Sequence, residues 1–188
     1  GAAYRRAARV DFLKDERGTR CRRVPGLDRR TALSHKAGAS FFREKRHWSE
    51  RKDQILSDYL VPYLAKVASM RRPILIVDGF AGAGKFDDGS PGSPQIILNA
   101  IAKVKPKVDV HSLFIEADCG LSKRLQAVVG HRNDVTVRNG RFLSCIDEIL
   151  DYSRTHQVFL YLDPYTVKGI EWAALDRVFQ CLERHVSI

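Results

Sequence analysis

The chain has 188 residues with 32 Lys and Arg against 22 Asp and Glu, a formal net charge of +10, and 44% hydrophobic residues. That is enough chain for one domain with a buried core, and no apolar run approaches the ~18 residues needed to span a membrane. Charge is unevenly spread: residues 1–52 hold 16 basic and 6 acidic side chains, and residues 53–188 hold 16 of each.

The N-terminal segment, residues 1–46, therefore carries most of the positive excess, in clusters that include Arg20, Arg22, Arg23, Arg29 and Arg30. It has few large apolar residues and no sustained period, so it reads as an extended or loosely ordered arm whose partner is a polyanion, DNA or RNA. A solvated tail is the plainer alternative. Phe41, Phe42 and Trp48 near its end suit either stacking on unpaired bases or anchoring the arm.

A first long helix is expected over 49–69, with Ser49 as its cap and Ile55, Leu56, Tyr59, Leu60, Tyr63, Leu64 and Val67 on the apolar side. Pro62 predicts a kink or restart within it. Residues 74–78 then read as a buried strand ending in Asp78, followed by Gly79, Phe80, Ala81, Gly82 and Gly84. Glycines here allow main-chain amides to approach a ligand. Gly79 to Lys85 fits seven positions of a phosphate-cradling loop, but Phe86 stands where a Ser or Thr should hold magnesium, and Asp87 and Asp88 oppose a triphosphate. The competing reading is a loop beneath the amino-acid end of S-adenosylmethionine, whose ammonium an acid favours.

Strand and helix patterns then alternate. Ser93 is the expected cap of a helix with Pro94 in its first turn; strands follow at 110–116, 134–139 and 158–163, with helical stripes between them and a last one through Trp172, Leu175, Val178, Phe179 and Leu182. Four such repeats predict an α/β, Rossmann-like parallel sheet with helices on both faces, ligand at the carboxyl ends of the strands. Glu116 ends the second strand 38 residues after Asp78, against the ~20 of a compact dinucleotide fold. It is the candidate for the ribose hydroxyls, the alternative being a solvated strand-end acid. After the third strand, Asn139-Gly140-Arg141 replaces a Gly-Asp that would accept the adenine amino group, leaving Asn139 as the acceptor on offer.

Asp163-Pro164-Tyr165 is the candidate for substrate chemistry. A carboxylate gripping the protons of a conjugated amine turns the nitrogen lone pair toward a sulfonium methyl, and an aromatic ring stacks on the base. The plainer alternative is a rigid strand-to-helix turn. Cys21, Cys119, Cys145 and Cys181 are dispersed and read as reduced, mostly buried thiols of a cytoplasmic protein; no metal site is expected from them or the scattered histidines.

From Trp48-Ser49-Glu50-Arg51-Lys52 through Asp78-Gly79-Phe80-Ala81-Gly82, Gly92-Ser93-Pro94, Phe114-Ile115-Glu116-Ala117-Asp118 and Leu162-Asp163-Pro164-Tyr165, the chain resembles the three-Cys-motif partner (TcmP) proteins over roughly residues 47–188. The resemblance implies a class I methyltransferase-like fold, with 47–188 as its N-terminal part and the C-terminal part of the sheet missing. It also implies S-adenosylmethionine as cofactor and a methyltransferase acting on an amino group of a nucleic-acid base. A non-catalytic module of the same fold, binding nucleic acid or a protein partner, and a P-loop NTPase are the other readings.

Overall fold

In the computed structural model, residues 12–14, 20–22, 47–164 and 172–183 are described. Within the basic segment, β1 (Phe12–Lys14) and β2 (Arg20–Arg22) pair antiparallel, with Leu13 opposite Cys21. Arg20 and Arg22 lie in that hairpin; Arg23, Arg29 and Arg30 lie outside the described residues.

The helix expected at 49–69 is α1 (His47–Ala68), so Ser49 is not its cap but a buried residue within its first turn. Pro62 sits inside an uninterrupted helix. Proline removes the bond to the carbonyl four residues back, and here both Pro62 and Asp58 are exposed, so water can take that carbonyl. Leu56, Leu60, Leu64 and Val67 are buried as the stripe requires, whereas Ile55 and Tyr59 are exposed. Tyr59 instead stacks on Tyr63 and on Phe159 at ring-centroid separations of 5.9 and 6.0 Å.

Four strands form one parallel sheet: β3 (Ile74–Asp78), β4 (Val110–Glu116), β5 (Val135–Asn139) and β6 (Gln157–Tyr161), in the order β5-β4-β3-β6. Between them run α2 (Ser93–Val104), α3 (Cys119–Val129) and α4 (Ile146–Ser153), the last preceded by a 3-10 turn at Phe142–Cys145, and α5 (Trp172–Glu183) follows β6. The chain thus winds outward from β3 through β4 to β5, then crosses back to place β6 on the other side of β3. The change of direction between β3 and β6 leaves a crevice at the carboxyl ends of those two strands.

β3 is apolar at every position before Asp78 because both of its faces are covered. Ile74 and Ile76 pack with α1, α2 and α3 residues such as Leu60, Leu64, Ile97 and Leu125. Leu75 and Val77 pack on the opposite face with Phe142, Ile146, Ile149 and Val178. A strand alternating between two cores has no polar face to show. Of the last stripe, Val178 is buried, while Trp172 and Phe179 are exposed. The cysteine expectation also changes, since Cys119 is disulfide-bonded, while Cys145 is a free buried thiol. No helix among the described residues is long and apolar enough to cross a membrane.

Candidate functional site

The crevice at the switch point is lined by Phe80, Ala81 and Gly82 from the loop after β3, by Tyr161, Asp163 and Pro164 from the end of β6, and by Ser49, Lys52 and Asp53 from α1. Lys85, Phe86 and Ser93 close its far wall. The sequence motifs following β3 and β6 therefore do meet. Tyr165 lies outside the described residues.

Asp78 does not line the crevice; it is fully buried behind the loop. Its Oδ1 accepts from the Phe80 amide at 3.1 Å and its Oδ2 from the Ser93 hydroxyl at 2.6 Å. Ser93 is accordingly not the helix cap: α2 is entered through Gly92, which makes no side-chain cap, and the Ser93 hydroxyl is committed to Asp78. Burial pushes the Asp78 carboxyl up to about 7; the two hydrogen bonds oppose the shift, and the charges of Glu116 and Asp163 add to it.

The four amides from Gly79 to Gly82 are engaged within the protein. Gly79 N–H donates to the Tyr161 carbonyl at 3.0 Å, Phe80 to Asp78, Ala81 to the Ile115 carbonyl at 3.0 Å, and Gly82 to Glu116 Oε2 at 2.8 Å. At Gly79 and Gly82, then, the amide that glycine is expected to free for a ligand is taken by a protein acceptor. Gly79 answers to packing instead, because a Cβ there would stand 2.5 Å from Leu162 Cδ2 and 3.0 Å from the Phe142 ring. Gly84 is required by conformation and space together, with φ +74° and Leu125 Cδ1 2.7 Å from its missing Cβ. Phe86 is buried against Ala83 and Leu121. After Lys85 the chain turns back through a bridge to Pro91 before α2 begins at Ser93, so no helix N-terminus follows Lys85 directly. A phosphate-cradling loop needs that helix start and open amides.

Glu116 ends β4 and ties two loops together. Oε2 takes the Gly82 amide and Oε1 takes the Asp118 amide at 2.7 Å. Burial raises the Glu116 carboxyl above its usual range, and these amide bonds hold it back. Each carboxylate oxygen keeps a second lone pair, so the group can still accept hydroxyls. Asp118 caps α3 by accepting from Leu121 N–H at 2.8 Å, as its residue type favours. Asn139, at the end of β5, donates through Nδ2 to the carbonyls of Glu116 and Ala117 at 2.9 and 3.2 Å.

β6 ends at Tyr161, so Asp163 lies two residues beyond the strand rather than at its last position. Its Oδ2 accepts from Lys52 Nζ at 2.5 Å. Burial, with the charges of Asp163, Asp78 and Asp53, pushes the Tyr161 phenol well above its usual range and keeps it a donor. Lys52, Asp53 and Tyr161 are site residues that motif reading missed. Their signal was present in the spacing, since Ser49, Lys52 and Asp53 fall at i, i+3 and i+4 and lead into the buried Leu56 and Leu60 on one helical stripe.

Among the described residues no group of three or more His, Cys, Asp or Glu side chains is arranged to hold a metal ion. Neither a protein-family model nor a curated protein matches this chain. The fold and crevice define an α/β protein with a parallel sheet and a cleft at its switch point.

Proposed function

We propose that the crevice binds S-adenosylmethionine and that the protein transfers the sulfonium methyl to an amino group on a nucleic-acid base, in the manner of the TcmP-like class I methyltransferase fold. The observation that carries this reading is the meeting, in one crevice, of the Phe80–Gly84 loop and the Asp163-Pro164 turn, with Glu116 bonded to the Gly82 amide of that loop though not itself in the crevice lining. Phe80, Ala81, Gly82 and Gly84 would contact the amino-acid end of the cofactor, Glu116 its ribose hydroxyls and Asn139 the adenine edge. Asp78 and Gly79 act behind them, shaping the loop. The bound cofactor supplies an electrophilic methyl; Asp163 orients the acceptor amine, Pro164 stiffens the turn, and Tyr165 is the candidate stacking ring.

Titration calorimetry tests the cofactor step. S-adenosylhomocysteine binds and ATP with magnesium does not, and Glu116→Ala weakens binding by about 1 to 3 kcal/mol, the range for hydrogen bonds to a charged group. Magnesium-dependent ATP binding would overturn the reading.

The pairing of Lys52 with Asp163 favours a second reading, a non-catalytic module, because the carboxylate assigned to the acceptor already holds an ammonium group. Labelled methyl donor with mixed cellular RNA and DNA separates the two. The methyltransferase incorporates label, and Asp163→Ala abolishes incorporation with cofactor affinity nearly unchanged. Cofactor binding without incorporation by either protein selects the module.

A further inference from the structure

In a parallel sheet every strand starts at the same end, so the loops preceding β3, β4, β5 and β6 are gathered on the face opposite the crevice. Those loops carry a basic excess that the balanced composition of residues 53–188 conceals. Arg71 and Arg72 precede β3, Lys105 and Lys107 precede β4, Arg132 precedes β5 and Arg154 precedes β6. All but Arg72 are in the exposed class. The loops are joined: Arg72 Nη2 donates to the Arg154 carbonyl at 3.3 Å, and the Gln157 amide donates to the Pro73 carbonyl at 2.8 Å.

The opposing acids on this face are Asp109, Asp134 and Asp151. Asp134 is held by Arg132 through two bonds of 2.9 and 2.6 Å, and Asp151 lies 3.6 Å from Arg154. Arg71, Lys105 and Lys107 are left to outweigh Asp109. At the crevice end acids and bases are mixed, with Asp163 paired to Lys52 and Asp87 to Arg124.

A surface cleft opens in the face opposite the crevice, with Lys105, Asp109, Asn133, Asp134, Tyr152 and His156 among its lining. The Tyr152 ring lies nearly parallel to His111 at a centroid separation of 5.7 Å and meets His156 edge-on at 5.0 Å. With Asp134 already held by Arg132, exposed basic side chains around a concave surface that contains aromatic rings suit a nucleic-acid strand better than a flat anionic membrane.

We infer that this face is a nucleic-acid contact, separate from the N-terminal arm and from the crevice, in which Lys105 and Lys107 meet backbone phosphates. It does not depend on the cofactor assignment. Each phosphate neutralised releases counterions, so losing a contact flattens the dependence of affinity on salt.

The full chain is titrated with a fluorescent 20-residue oligodeoxythymidylate over a range of salt concentrations, in two variants of equal net charge. Lys105→Gln with Lys107→Gln changes the basic face; Arg124→Gln with Arg177→Gln changes exposed sites elsewhere. Circular dichroism verifies that both fold. The first pair lowers the magnitude of the salt slope by about 1 to 2 and the second leaves it unchanged. Equal effects from both pairs, absence of oligonucleotide binding, or a Lys105/Lys107-dependent association with phosphatidylserine vesicles but not with the oligonucleotide would each overturn the inference.

Discussion

Asp78 links the shape of the site to pH. In the unfolded chain it ionises near 3.8, and in the folded protein near 7. Between those values the folded state keeps a proton that the unfolded state has released. The contribution of this group to stability is thus fully present below about pH 4 and is lost as pH rises through 7, a change on the order of 4 kcal/mol at 1.36 kcal/mol per pH unit. Asp78→Asn keeps an acceptor for the Phe80 amide and gains a donor for Ser93, but cannot ionise. Urea unfolding at pH 4.5 and 7.5 is therefore less pH-dependent in the variant, whose advantage over the parent grows with pH. An identical pH dependence in both proteins would mean that Asp78 ionises in the folded state as freely as in water.

At the level of elements, the strand-loop-helix unit β3 to α2 is held by contacts at each end of the loop rather than by its glycine content alone. The Gly92 amide donates to the Gly84 carbonyl at 3.0 Å, fastening the return of the chain beside Gly84, and α3 closes over the same point through Leu125 and Val128. Gly84→Ala introduces both a strained backbone conformation and a Cβ against Leu125. It should cost about 1 to 3 kcal/mol, read as a lower urea midpoint at constant slope. A midpoint equal to that of the parent would show that α3 moves aside freely. The helix α1 illustrates a different balance. Pro62 predicts a break from local chemistry, yet the buried Leu56, Leu60 and Leu64 hold the two halves on one line while the lost bond faces water.

For the whole molecule the dominant feature is charge. The arm carries the excess that the sequence displays openly, and the fold adds a second basic region on the face opposite the crevice. Deleting residues 1–46 should flatten the salt dependence of oligonucleotide binding without abolishing it, because Lys105 and Lys107 remain. Unchanged affinity and slope after the deletion would remove the arm from the interface.

The alternation of apolar runs and helical stripes determined the parallel α/β architecture, since those periods follow from which faces each element must bury, and it located Asp78 and Glu116 at strand ends. Spacing along the chain also predicted that the Gly79–Gly84 loop and Asp163 would share one end of the sheet. Only the tertiary structure decided how those groups are spent. The loop amides went to Tyr161, Asp78, Ile115 and Glu116, the Ser93 hydroxyl to Asp78, and Lys52 from a helix more than a hundred residues away to Asp163. Hydrogen-bond partners of this kind are set by distances between elements remote in sequence, and no local period encodes them. Charge clustering has the same origin: a stretch with equal numbers of acids and bases shows a basic end once a parallel sheet gathers the loops before its strands there.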